Sequence, residues 1–550
     1  MTMNRTQVWT IGIAVFWLTS LVVSAEPPEK TMAQGQRLAQ QGHWEQAIVC
    51  YRQVLAMTPE HPSALYYLGV ALVKSGEIEE GFAALERAIA LKPSGGWHLM
   101  VAQLSDEHER GDQAITHYEA SLKYRQNATV CFKLADAYTD KKDFTKASHY
   151  RSQGIANETA LIRKLNFKKI VTLGIKSRNE LKQFLTHELD KEIPPEKAAV
   201  IDLTLRAFGF FKESLDIRAI MLKLLTEQVA GFYDPETKQL YLIGESSPNT
   251  ESFNLANAQE RMTIAHEMTH ALQDQYFDLL ALEKRVKNND DRSLAYQALV
   301  EGDATLTMFD YQLKPKYYTS AHAPLLRIIF ALEQLLTPFV GGEALATVPA
   351  VIRENLIFPY VEGLFFCLAL RGETADNAKI NKAFRHLPTS TEQILHPEKY
   401  LAGEQPQELV LADLSGILGS EWKQAENNVM GEFFIRMLFS EFQSPVASKI
   451  AAGWGGDRYA ILQDAAGRYV LVWLTAWDTE SDAQEFFTGY EQVLQKKFST
   501  ASLEKQERQI TLTQNGEACR MVLDKTTVVI VERVPTTKLE TLWSKVRNAK

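Results

Sequence analysis

Between residues 30 and 155, small and apolar residues recur with a period near 34. Ala47, Gly81, Ala114 and Ala147 fall 34, 33 and 33 residues apart, and Pro59–Pro93 and Gly42–Gly76 are each 34 apart. Tyr51, Leu85 and Tyr118 each follow their small residue by four. Small residues where two helices meet, bulky residues that fill the gap and a proline after the second helix describe a helix–turn–helix unit. Such a unit buries its apolar face only by stacking on the next one. The pattern predicts an all-α superhelix over residues 26–155. From about residue 160 the periodicity changes. Residues 167–173 read as a strand, 178–191 and 194–226 as helices, and 229–243 as a hairpin about Asp234-Pro235. A polar loop over 244–251 leads into an apolar-rich helix at 256–280. A charged loop over 284–291 then precedes an amphipathic helix at 292–309. From about 406 the pattern is α+β: strands 458–462 and 468–473 around Ala465-Ala466-Gly467, a helix at 481–495, strands 509–513, 518–523 and 527–531, and a last helix to 550. The expected organisation is therefore multidomain: residues 26–155, 156–405 and 406–550.

Residues 64–93, with Gly69, Leu72, Gly81, Leu85, Ala88 and Pro93, resemble a tetratricopeptide repeat. The third and fourth copies depart from it, because neither ends in proline and Ala102 and Ala135 stand where the second has Gly69. The resemblance implies a superhelix of three to four repeats that docks a protein partner.

Composition narrows the class. At 550 residues the chain exceeds one hydrophobic core, and 45% apolar with 23% charged residues is a globular composition. The net charge of −9, without a long basic block, argues against a nucleic-acid binder. Arg5, the uncharged apolar run 8–23 and the small residues Ser24-Ala25 form the pattern of a signal peptide over 1–25. This predicts export, periplasmic or secreted, with an uncleaved anchor as the alternative. No later segment reaches the roughly 18 uncharged apolar residues of a spanning helix. Cys50, Cys131, Cys367 and Cys519 form no CxxC pair and have apolar neighbours, which predicts buried thiols; a Cys50–Cys131 bridge is the other option.

The chemistry concentrates in His266-Glu267-Met268-Thr269-His270. On a helix, this spacing puts two imidazoles one turn apart on one face, within reach of one metal ion, and Glu267 beside them as general base for a water. Ile264, Met268 and Ala271 then face the core. Glu301, in Val300-Glu301-Gly302-Asp303-Ala304 on the following helix, is the expected third ligand, carried back by an antiparallel helix whose small residues allow close approach. Asp303 is its competitor and otherwise an outer acceptor for an imidazole N–H, a role also open to Asp274. This constellation resembles the gluzincin group of zinc metallopeptidases across residues 160–400. It departs from the NExxSD-like segment of the thermolysin pattern, and a metzincin is excluded because 271–280 holds neither a third histidine nor glycine. The resemblance implies an α+β peptidase domain, one catalytic Zn2+, and a peptide or protein substrate. It also implies an oxyanion donor, for which Tyr360 and His396 are the candidates, and a substrate-aligning edge strand, placed at 239–243. Two other readings stand beside it: a non-proteolytic zinc-containing repeat scaffold or assembly factor, and hydrolysis of a non-peptide bond.

Overall fold

The computed structural model describes residues 27–244, 258–313, 318–331, 345, 347–374 and 376–547. The expected signal segment and most of the 244–251 loop lie outside the described residues. The chain divides into two compact units, Met1–Gly154 and Ile155–Lys550.

The first unit is a run of paired helices: α1 (Pro28–Gln40), α2 (Trp44–Met57), α3 (Pro62–Ser75), α4 (Ile78–Leu91), α5 (Gly95–Glu107), α6 (Gly111–Leu122), α7 (Ala128–Asp140) and α8 (Phe144–Arg163), the last of which spans the division. The repeating small residues are contact points. A Cβ on Gly69 would lie 2.6 Å from Leu85 Cγ and 2.7 Å from the Gly81 carbonyl oxygen, so α3 and α4 meet backbone to backbone. Tyr51, Leu85 and Tyr118 are buried beside these contacts. Gly76, with φ at 102°, ends α3 in the left-handed conformation that glycine adopts without a Cβ penalty. All four cysteines of the chain are buried thiols, so no bridge joins Cys50 to Cys131.

The second unit begins with β1 (Thr172–Ser177), α9 (Arg178–Glu192), α10 (Pro195–Phe208), α11 (Ile217–Gln228), β2 (Gly231–Asp234) and β3 (Gln239–Gly244). The strand expected at 167–173 is displaced to β1. The single helix expected over 194–226 is two, because Gly209 at φ 95° terminates α10 and Asp216 caps α11 by accepting from the Ala219 N–H. The three strands form a sheet in the order β1-β3-β2, parallel between β1 and β3 and antiparallel between β2 and β3. Then follow α12 (Ala258–Phe277), α13 (Leu279–Val286), α14 (Asp290–Leu313), α15 (Ala323–Ala331) and α16 (Ala350–Arg371). Part of the expected 284–291 loop is helical in α13, whose Leu279, Leu282 and Val286 are buried.

The small residues of α14 serve a different neighbour from the one expected. Gly302 packs on α16, where an added Cβ would lie 2.1 Å from the Gly363 carbonyl carbon, and a Cβ on Gly363 would lie 2.0 Å from the Ala298 oxygen. The two backbones are in contact, and only glycine at both positions permits it.

The chain continues through α17 (Ala378–Ala383), α18 (Thr391–Leu395) and α19 (Pro397–Ala402). After these come β4 (Lys423–Asn428), α20 (Gly431–Glu441), α21 (Ala447–Ala451), β5 (Trp454–Gln463), β6 (Tyr469–Trp477) and α22 (Glu480–Lys497). β7 (Ser502–Gln506), β8 (Gln509–Gln514), β9 (Glu517–Asp524), β10 (Thr527–Pro535) and α23 (Leu539–Val546) complete it. β4 to β10 make an antiparallel sheet in the order β4-β5-β6-β10-β9-β8-β7. Packing among the described residues crosses residue 405. One core cluster joins Leu203 and Phe208 of α10 to Phe439, Trp473 and Phe486, with Phe208 edge-on to Trp473 at 5.0 Å between centroids. Among the described residues no helix is long and apolar enough to cross a membrane.

Two outcomes follow from this packing. Gly302→Ala is expected to cost about 1–3 kcal/mol or more through overpacking, read as a lower urea midpoint with an unchanged m-value. The second concerns Asp291, whose buried Oδ1 accepts from the N–H and hydroxyl of Thr391. Burial pushes this carboxyl from its ordinary 3.8 up to about 7, against the pull of the Thr391 hydrogen bonds. Between these values the folded chain binds the proton and the unfolded chain does not, so Asp291 makes stability fall as pH rises from about 4 to about 7. Asp291→Asn is expected to flatten that slope relative to wild type, in urea titrations at pH 5 and 8.

Candidate metal centre

α12 carries both histidines. Ile264, Ala265, Met268, Ala271 and Leu272 are fully buried, and this fixes the helix with the imidazoles on the remaining face. α14 brings Glu301 to them. Glu301 Oε2 lies 3.1 Å from His266 Nε2 and 3.4 Å from His270 Nε2, and the two Nε2 atoms are 3.1 Å apart. A tetrahedral ion with bonds of about 2.0–2.1 Å has ligand–ligand edges of about 3.4 Å. The donor triangle is therefore close to the size that one zinc ion requires. Two imidazole nitrogens and a carboxylate oxygen, aimed at one point in a buried pocket, make a donor set that zinc fits.

The carboxylate of Glu267 also comes within 4.8 Å of both imidazole donors. It is nevertheless distinguished from Glu301, because its Oε2 accepts a 2.7 Å hydrogen bond from the main-chain N–H of Tyr233 on β2. That contact turns it toward the sheet side of the pocket and leaves it beside the ion position, not in the donor triangle. Burial pushes the Glu267 carboxyl up, with the two imidazoles pulling it back and Glu301 adding to the rise. A carboxylate whose pKa is raised is a better base near neutral pH. With no cation present, burial lowers the His270 imidazole but Glu301 outweighs it and holds it at about 9. Burial of Glu301 is likewise overridden by the imidazoles, which hold its carboxyl well below the usual range.

The close crossing of α14 and α16 also places Tyr360. Tyr360 lies one turn before Gly363, and Glu301 adjoins Gly302, so backbone contact at the glycines brings the two side chains together. The Glu301 charge, with burial, drives the Tyr360 hydroxyl pKa well up. Its ring stacks on His266, with centroids 6.2 Å apart and planes 23° apart. His396 is elsewhere: its Nε2 pairs with Glu432 at 2.9 Å and its Nδ1 faces Glu398. Its pKa is raised by Glu432, and it makes no contact with the histidine pair.

The groups behind the donors differ from those expected. His270 Nδ1 faces the Oε1 of Gln273 at 2.9 Å, and Gln273 Nε2 donates to the Val300 carbonyl and to Asp303 Oδ2. Both partners of Nε2 are acceptors, so the amide oxygen must face His270. That requires a proton on Nδ1, so Nε2 is the nitrogen left bare to ligate when the ring is neutral. Asp303 thus reaches His270 only through Gln273. Asp274 holds no imidazole; it accepts from the Tyr233 hydroxyl at 2.8 Å and from Lys238. Tyr233 therefore ties β2 to α12 at both ends, through its N–H on Glu267 and its hydroxyl on Asp274. Gln273 was legible as the residue three positions after His270 on one helix face. Tyr233 was not, because its contact is made by a main-chain N–H whose direction depends on strand pairing. The strand 239–243 does not supply a free edge, since β3 is paired on both sides; β2 is the edge beside the site.

The family models that match this chain fall on either side of this centre. Residues 32–96 match the tetratricopeptide repeat family, and residues 420–543 match a domain of unknown function, DUF8575. The repeat stretch is 30% identical over 112 residues to Tetratricopeptide repeat protein 21B of Mus musculus, and 32% over 113 residues to the Homo sapiens protein of that name. Each match covers 20% of this chain and 8% of the relative, so the chain spans only a small part of the relatives' length. Among solved structures, MamA is similar at 23% identity over 25% of this chain and 82% of that one, with a TM-score of 0.23. pilF of Pseudomonas aeruginosa is similar at 16% identity over 47% and 96%, with a TM-score of 0.22. Residues 32–96 are thus tetratricopeptide repeats within a run of paired helices, and the C-terminal part carries an antiparallel sheet.

If the donor triangle holds zinc, Glu301→Ala removes one of three protein ligands. Purified wild type is expected to carry about one zinc per chain by elemental analysis, and the variant to lose most of it on dialysis against a weak chelator.

Proposed function

We propose that this protein is an exported zinc-dependent peptidase whose repeats hold a protein partner or the substrate itself. The observation that supports this reading is the convergence of His266, His270 and Glu301 on one point with Glu267 beside it. A structural zinc site is closed by four protein ligands, whereas three ligands with a carboxylate held beside an open position suit catalysis.

Zinc, when bound there, supplies a Lewis acid and lowers the pKa of water toward about 7. The residues supply the rest. Glu267, held by the Tyr233 N–H and raised by burial, takes the proton of the attacking water and hands it to the leaving amine. Tyr360, stacked on His266 and under the charge of Glu301, is placed to donate to the oxygen that becomes negative as the carbonyl is attacked. The edge strand β2, whose Tyr233 N–H holds Glu267, has further outward main-chain groups to offer an extended peptide.

A second reading makes the protein a repeat-based scaffold or assembly factor that carries a non-catalytic zinc. The comparisons favour it over the first, because the repeats are what the named relatives share. Glu267, held by Tyr233 beside the donor triangle, opposes it.

Cleavage of a denatured protein mixture separates the two. Glu267→Gln is expected to keep the zinc of wild type and lose about 10²–10⁴-fold in rate, the usual worth of a general acid–base group. No cleavage by zinc-loaded wild type selects the scaffold.

A further inference from the structure

The hydrogen-bond path behind His270 does not stop at Gln273. Asp303, 1% exposed, receives the Gln273 amide on Oδ2 and lies 3.1 Å through Oδ1 from Nε of Arg163, itself 1% exposed. Arg163 is the last residue of α8, and its Nη2 donates to Asn381 Oδ1 at 2.8 Å. The Arg163–Asp303 contact is an ion pair and not an aligned hydrogen bond, since Arg163 Nε and Asp303 Oδ1 have no hydrogen-bond partner of good geometry.

A buried ion pair is a poor device for stability alone, because apolar residues of similar volume often do as well or better. This one has a use that an apolar pair would lack. An ionised carboxylate is acceptor-only, so the Gln273 NH2 is compelled to face it, and the Gln273 oxygen is compelled to face His270. We propose that Asp303 and Arg163 are positioning residues of the metal centre, which set the tautomer and orientation of His270 through Gln273. The inference rests on the zinc reading of His266, His270 and Glu301, but it does not depend on what the zinc does.

Asn at position 303 is nearly isosteric yet unable to perform this role. It has one side-chain oxygen, which cannot face both the Arg163 cation and the Gln273 NH2. If the oxygen goes to Arg163, an NH2 opposes the Gln273 NH2 and drives that amide to rotate. His270 is then offered N–H donors, which favour a bare Nδ1 and a protonated Nε2 that cannot ligate. Gln273→Met reaches the same end by removing the amide at similar volume.

The test uses the full chain with zinc affinity measured by competition against a chromophoric chelator, well below each variant's Tm, and the visible absorption of the cobalt-substituted proteins. Asp303→Asn and Gln273→Met are each expected to weaken zinc about 10–100-fold, the usual effect of losing a partner behind a ligand, and to shift the cobalt bands. Loss of stability alone would lower Tm and leave both readouts in place. Asp303→Asn binding zinc within twofold of wild type, with unchanged cobalt bands, overturns the inference. If Asp303→Asn does not fold, Gln273→Met decides by the same criteria. Wild type that binds no zinc overturns this inference and the zinc reading together. Wild type that binds zinc but cleaves nothing removes only the peptidase reading, and a weakened Asp303→Asn in that background still supports the positioning role.

Discussion

Three lone pairs aimed at one point inside a protein constitute an electrostatic constraint that the fold has to resolve. The Nε2 atoms of His266 and His270 and the Oε2 of Glu301 stand 3.1–3.4 Å from one another in a largely buried site. Without a cation, the Glu301 charge holds the His270 imidazole up at about 9, which favours a proton where the ion would sit. With one divalent ion the three donors are satisfied at once. Burying two imidazoles and two carboxylates together is otherwise expensive.

The surrounding helices and strands hold this arrangement. α12 provides both histidines and Glu267 on one face, with its opposite face sealed in apolar contacts. α14 delivers Glu301, and its backbone contact with α16 at Gly302 and Gly363 sets the depth at which Glu301 and Tyr360 enter. β2 approaches from the other side and is fastened by Tyr233 to both Glu267 and Asp274. Each tie joins parts of the chain distant in sequence, so the site is a property of the packed unit and not of any one helix. The repeats in residues 32–96, by contrast, are a self-contained stacking pattern.

What was legible in the sequence follows from this difference. Local periodic information survived well: the 34-residue spacing, the one-turn histidine pair and the hairpin around Ala465-Ala466-Gly467 depend on neighbours along the chain. Boundaries set by single backbone conformations were missed, as where Gly209 divides an apolar run into α10 and α11. Contacts decided by tertiary approach were assigned to the wrong partner. Gly302 reads as a surface for α12 because that is the neighbouring helix in sequence, yet it is α16 that packs on it. Asp274 reads as an imidazole partner by its spacing, but the strand it meets supplies a phenol and a lysine instead. His396 sits in a plausible local setting, and Glu432 claims it. Arg163 carried no signal at all, because an arginine at the end of a helix is usually solvated.

The central claim is that two imidazoles and the Glu301 carboxylate hold one zinc ion. X-ray absorption at the zinc edge on the purified full-length chain tests it most directly. The account predicts one zinc per chain with a first shell of nitrogen and oxygen only, at about 2.0–2.1 Å, containing two imidazoles. A chain isolated without zinc and unable to take it up, or a shell with sulfur or a single imidazole, would contradict it.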